Sequence, residues 1–123
     1  MATILLIEDD EAVRVTFEII LASDGHDVVV AEDGNAGLKI AGSQRFDLVI
    51  TDIIMPERDG VEVINALRKA QADLPVIAVS GGGRSSSMDY LGIAKMLGAA
   101  AVLAKPIGST ELLAAVKEAL PTS

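Results

Sequence analysis

The chain has 123 residues, no cysteine, one histidine and a formal net charge of −8. One domain of ordinary size fits that length, and a chain this long buries roughly two-thirds of its unfolded surface, so it folds without the disulfides or thiolate zinc sites that its composition excludes. Ten Lys and Arg scattered among 18 Asp and Glu argue against direct nucleic-acid binding, no apolar run approaches the ~20 residues of a membrane span, and no basic segment precedes the first apolar run, so the N-terminus is not a signal peptide.

In chain order, the first apolar run is Ile4–Ile7, followed by Glu8-Asp9-Asp10-Glu11 and by a helical stripe of Val13, Phe17, Ile20 and Leu21 that stops at Asp24-Gly25. Val28–Ala31 is the second run. Glu32-Asp33 then opens a helix that ends at Gly42-Ser43. Leu48–Thr51 is the third run, with Asp52 directly after it and a stripe of Val61, Ile64 and Leu67 beyond. Val76–Val79 leads through Ser80 into the flexible loop Gly81-Gly82-Gly83-Arg84-Ser85-Ser86-Ser87, and Gly98 closes the helix that follows. Ala101–Ala104 precedes Lys105-Pro106. Ser109 is placed to cap a last helix, with Glu111 in its first turn and a stripe of Leu112, Leu113, Val116 and Leu120.

The five runs are about four residues each and show no alternation of apolar and polar residues, as expected of strands buried on both faces of a parallel sheet. Strict strand–helix alternation implies an α/β fold with right-handed crossovers. The core must be aliphatic, because Phe17, Phe46 and Tyr90 are the only aromatic residues.

In open α/β sheets ligands bind outside the carboxyl ends of the strands, and four of the five ends here present chemically capable polar residues, Glu32-Asp33 after the second run being the start of a helix. Asp9, Asp10 and Asp52 crowd carboxylates that repel one another. A hard divalent cation such as Mg²⁺, which takes one or two carboxylates together with phosphate oxygens, relieves that repulsion. Lys105 adds a movable positive charge and Ser80 a hydroxyl, which are what a transferring phosphoryl group needs on its oxygens. An aspartate can itself be the nucleophile. His26 lies in a turn far from these ends and is structural, and the glycine run matches neither G-x-x-x-x-G-K-[ST] nor G-x-G-x-x-G.

Leu5-Leu6-Ile7-Glu8-Asp9-Asp10-Glu11, Asp52-Ile53-Ile54-Met55-Pro56-Glu57-Arg58-Asp59-Gly60, Ser80 and Lys105-Pro106, in this order, resemble the receiver domain of two-component response regulators over essentially the whole chain. The resemblance implies a flavodoxin-like, doubly wound five-stranded sheet in the order 2-1-3-4-5. It also implies that Asp52 accepts a phosphoryl group from a phosphohistidine. Mg²⁺, or Mn²⁺ in its place, would be held by Asp10, Asp52 and the backbone carbonyl of Ile54, with Asp9 acting through water. Lys105 and Ser80 would hold the phosphoryl oxygens, with a cis peptide at Pro106. The implied partners are a sensor histidine kinase or a histidine phosphotransfer protein and an effector protein, in the cytoplasm. Such a domain catalyses its own phosphorylation and dephosphorylation and turns over no external substrate. Residues 1–123 are expected to form a single stand-alone receiver without an output domain.

The chain departs from the family at Val102, where Tyr or Phe is common, and at Ile107, where Phe is frequent. With no ring to turn at Val102, the loop Gly81–Ser87 is expected to take up the conformational change. An aspartate-based phosphohydrolase and a receiver-like protein that docks without phosphorylation are the alternative classes.

Overall fold

The computed structural model describes residues 2–52, 60–71, 73–81, 98–105 and 107–120; for Val61, Ser80, Ala104 and Lys105 it describes the backbone alone. Within these residues five strands, β1 (Thr3–Ile7), β2 (Asp27–Ala31), β3 (Leu48–Asp52), β4 (Val76–Gly81) and β5 (Ala101–Lys105), alternate with helices α1 (Glu11–Ser23), α2 (Gly34–Ser43) and α3 (Gly60–Ala70), and α4 (Ser109–Ala119) closes the series. The strands form one parallel sheet in the order β2-β1-β3-β4-β5, so the expected fold class and strand order hold. No helix among the described residues is long and apolar enough to cross a membrane.

The non-alternating apolar runs are explained by burial on both faces. Ile4 and Leu6 of β1 join Leu48 and Ile50 of β3 and Ile77 and Val79 of β4 in one cluster with Phe17 and Leu21 of α1 and Leu112 and Val116 of α4. Leu5 and Ile7 point the other way, into a cluster with Val49, Val76 and Ala78 and with Val63, Ile64 and Leu67 of α3. Successive strand residues therefore reach opposite faces, and among the described residues each face is roofed by two helices. Among the described residues the core is aliphatic apart from Phe17 and Phe46, both buried.

Among the described residues the helix ends follow the sequence signals with one exception, and the helix expected before Gly98 lies outside those residues. Asp33 caps α2, its carboxylate accepting from the Ala36 N–H at 2.7 Å. Gly25 after α1 and Gly98 before β5 adopt φ of +90°, which only glycine takes without strain. The exception is Ser109. The N-cap of α4 is Gly108, which offers no side chain, and Ser109 is already the first helical residue. Glycine at this position satisfies the extended cap backbone and leaves the capping N–H groups without a side-chain acceptor.

One close approach fixes α2 against the sheet. A Cβ on Gly37 would overlap Cδ1 of Ile7 and stand 2.7 Å from its Cγ1, and Ile7 is fully buried and cannot yield. Gly42, on the same helix, would meet nothing within 4 Å. Two opposite results are expected from the same substitution. Gly42→Ala should raise stability by about 0.5 kcal/mol through helix propensity, whereas Gly37→Ala should lower it by about 1–3 kcal/mol through overpacking. Urea denaturation of the two variants checks the signs.

Candidate phosphoacceptor and metal site

The ladder between β1 and β3 pairs Ile7 with Thr51, so the next residues, Glu8 and Asp52, stand at the same level on adjacent strands. The backbone of Glu8 is pinned there because its N–H still donates to the Ala31 carbonyl of β2 at 3.0 Å. Both side chains are buried, Glu8 at 2% exposure and Asp52 at 4%, while Asp9 is exposed. Carboxylate oxygens of Glu8, Asp9 and Asp52 all lie within 4.8 Å of one another. Two unit charges at that separation repel by roughly 3–4 kcal/mol at an effective dielectric of ~20.

An all-oxygen donor set of three carboxylates, two of them withdrawn from solvent, suits a hard cation such as Mg²⁺ or Mn²⁺ and suits soft, thiolate-preferring metals poorly. The residues present therefore fit the cation expected from the sequence, but the membership of the cluster differs. Asp9 and Asp52 are brought together as expected, and Glu8 joins them. Asp10 is not in the group. It is the N-cap of α1, in extended conformation, and its Oδ1 accepts from the Val13 N–H at 3.2 Å. Its own N–H donates to Glu8 Oε2 at 3.1 Å. Asp10 thus orders the turn and starts the helix, and the neighbouring pair in the acidic run faces Asp52.

β4 and β5 bring the remaining candidates to the same edge. Asp52 pairs with Val79, Ser80 pairs with Ala104, and Gly81 pairs with Lys105. The backbone of Ser80 is one strand away from Asp52 and that of Lys105 two strands away. The Ser80 and Lys105 side chains, the Ile54 carbonyl, Pro106 and residues 82–87 of the expected loop Gly81–Ser87 lie outside the described residues. Val102 is half-buried on the face covered by α2 and α3, and Ile107 packs on the face covered by α1 and α4. His26 is at the opposite end of the sheet, where its Nδ1 accepts from the Ala2 N–H at 3.1 Å and its Nε2 lies 3.4 Å from Asp24, a structural role.

Comparison with known proteins bears on this arrangement. Residues 4–117 match the response regulator receiver domain family. The chain is 35% identical over 120 residues to the transcriptional regulatory protein AfsQ1 of Streptomyces coelicolor, covering 98% of this chain and 52% of that protein. It spans about half or less of the length of the curated relatives it matches. A response regulator receiver domain protein from Clostridium thermocellum superposes with a TM-score of 0.89 at 30% identity, over 97% of this chain and 94% of that one. The chemotaxis protein CheY4 of Vibrio cholerae superposes with a TM-score of 0.86 at 28% identity, over 98% and 99% of the two chains. With the strand order, the acidic edge and these matches in agreement, the chain belongs to the response regulator receiver domain family of two-component systems.

Proposed function

We propose that this receiver accepts a phosphoryl group on Asp52 from a phosphohistidine of a sensor kinase or a histidine phosphotransfer protein and signals by docking to an effector protein. The observation that carries this reading is the buried Asp52 carboxylate at the end of the central strand, within 4.8 Å of two further carboxylates. An Asp52 oxygen attacks phosphorus. The P–N bond to the donor imidazole breaks, and its electron pair stays on the ring nitrogen, which takes up a proton. Little covalent chemistry is asked of the protein beyond positioning and charge.

Asp9 and Asp52 would hold Mg²⁺ directly. Asp9 is exposed at the mouth of the site, whereas Glu8 is buried and already accepts the Asp10 N–H, which suits it to an outer role. When bound, the cation neutralises charge on the phosphoryl oxygens. Asp10 keeps its capping task, and the direct metal role expected for it from the sequence passes to Asp9. Lys105 and Ser80, carried to the same edge by β5 and β4, are the proposed holders of the phosphoryl oxygens, Lys105 as a point charge and Ser80 as a donor. The net charge of −8 favours protein partners over nucleic acid for this stretch of chain.

Two experiments test the proposal. Treated with acetyl phosphate and Mg²⁺, the wild-type chain should gain one phosphate that survives acid and is lost in base, and Asp52→Asn should gain none. Removal of Mg²⁺ with a chelator should abolish labelling of the wild type. Full labelling of Asp52→Asn rejects the assignment.

The second experiment separates the acidic residues. Asp9→Asn should weaken Mg²⁺ binding by at least tenfold, as loss of a direct ligand, whereas Asp10→Asn should leave it within a few-fold, because Asn also caps helices well. Asp10→Ala should instead cost about 1 kcal/mol of stability as a lost N-cap. Calorimetric titration of Mg²⁺ and thermal unfolding of the three variants read these outcomes, and a larger loss of Mg²⁺ for Asp10→Asn than for Asp9→Asn returns the direct role to Asp10.

A further inference from the structure

The peptide unit that joins Glu8 to Asp9 sets the relative direction of two of the three clustered carboxylates, and one side chain holds it. Arg14, half-buried on the first turns of α1, donates from Nη1 to the Glu8 carbonyl at 3.0 Å. Its backbone N–H donates to the Asp10 carbonyl at 2.9 Å, directly after the Val13 N–H is taken by the Asp10 carboxylate. The acidic turn is therefore tied to α1 by three bonds, and two of them come from Arg14. Arg14 thus engages the turn through both its guanidinium and its own amide.

We propose that Arg14 is a positioning residue for the cation site: by fixing the Glu8–Asp9 peptide it presets the turn that presents Asp9 beside Asp52. The inference rests on the metal site proposed above. Arg14 exerts two effects of opposite sign. Its positive charge near the cluster repels a divalent cation, so removing the charge alone would tighten Mg²⁺ binding. Its bond to the Glu8 carbonyl holds the turn in the binding geometry, so removing the bond makes cation binding pay for ordering the turn. The charge is half-exposed and screened, while the bond acts on the peptide next to the ligand, and the positioning effect prevails.

Arg14→Met, which keeps the length of the apolar stem and removes both donor and charge, should weaken Mg²⁺ binding about tenfold, within the range known for outer partners of metal ligands. Arg14→Lys, which keeps a charge and a donor able to reach a carbonyl, should retain most of the affinity. In metal-free protein the Asp10 amide, bonded to Glu8 Oε2, should exchange faster in Arg14→Met than in the wild type, with the amides of β1 unchanged. Calorimetric titration with MgCl₂ and amide exchange followed by NMR supply the readouts. Unchanged or tighter Mg²⁺ binding by Arg14→Met overturns the proposal, and so does unchanged Asp10 exchange. Wild-type protein that takes up no Mg²⁺ rejects the metal site itself, whereas the exchange rates judge the bracing of the turn without any metal, so the two failures are told apart.

Discussion

Parallel pairing of β1 with β3 holds Ile7 opposite Thr51, and that register determines everything at the acidic edge. One residue further, both chains carry a carboxylate that the two-sided packing of the sheet forces out of solvent. A slip of one residue in a strand would send its alternating side chains to the opposite faces. It would also separate Glu8 from Asp52. The core on both faces therefore does more than stabilise. Leu5 and Ile7 on one side and Ile4 and Leu6 on the other lock the register that brings like charges together. The resulting repulsion is a standing cost to the fold, and a cation bound as proposed above would relieve it.

The second determinant is the start of α1. Asp10 turns the chain from the sheet edge into the helix, and the Glu8 carboxylate, the Asp10 carboxylate and Arg14 share the backbone groups of that turn among them. Helix capping and site construction are thus one event: the residue that caps the helix is adjacent in sequence to the one that faces Asp52. The close seat of α2 on Ile7, permitted by Gly37, supports the same strand from the other face.

Most of this was legible in the sequence. Five apolar runs without alternation gave a buried parallel sheet, and the residues after each run gave the edge on which Asp52, Ser80 and Lys105 stand. The acidic run Glu8-Asp9-Asp10-Glu11 was harder to place, because it contains more than one adjacent pair of acids. Two signals resolve it. The strand ends at Ile7, which puts Glu8 first at the edge. Asp10 stands three residues before Val13, the first apolar residue of the α1 stripe, which is the spacing of an N-cap. Ser109 misled for the converse reason: a good capping residue stood one position inside the helix, and backbone geometry chose Gly108. Arg14 could not be singled out from sequence, since a lone arginine on a helix gives no sign that its side chain turns back to the carbonyl six residues earlier.

If the cation site lies between Asp9 and Asp52 and Asp10 belongs to the helix, a bound ion must show it in its coordination. Crystals soaked in Mn²⁺, with anomalous diffraction collected at the manganese edge, test it most directly. A single strong peak is expected within coordination distance of one oxygen each from Asp9 and Asp52, with the Asp10 carboxylate still on the Val13 N–H. A peak coordinated by Asp10, with Asp9 turned to solvent, would contradict it.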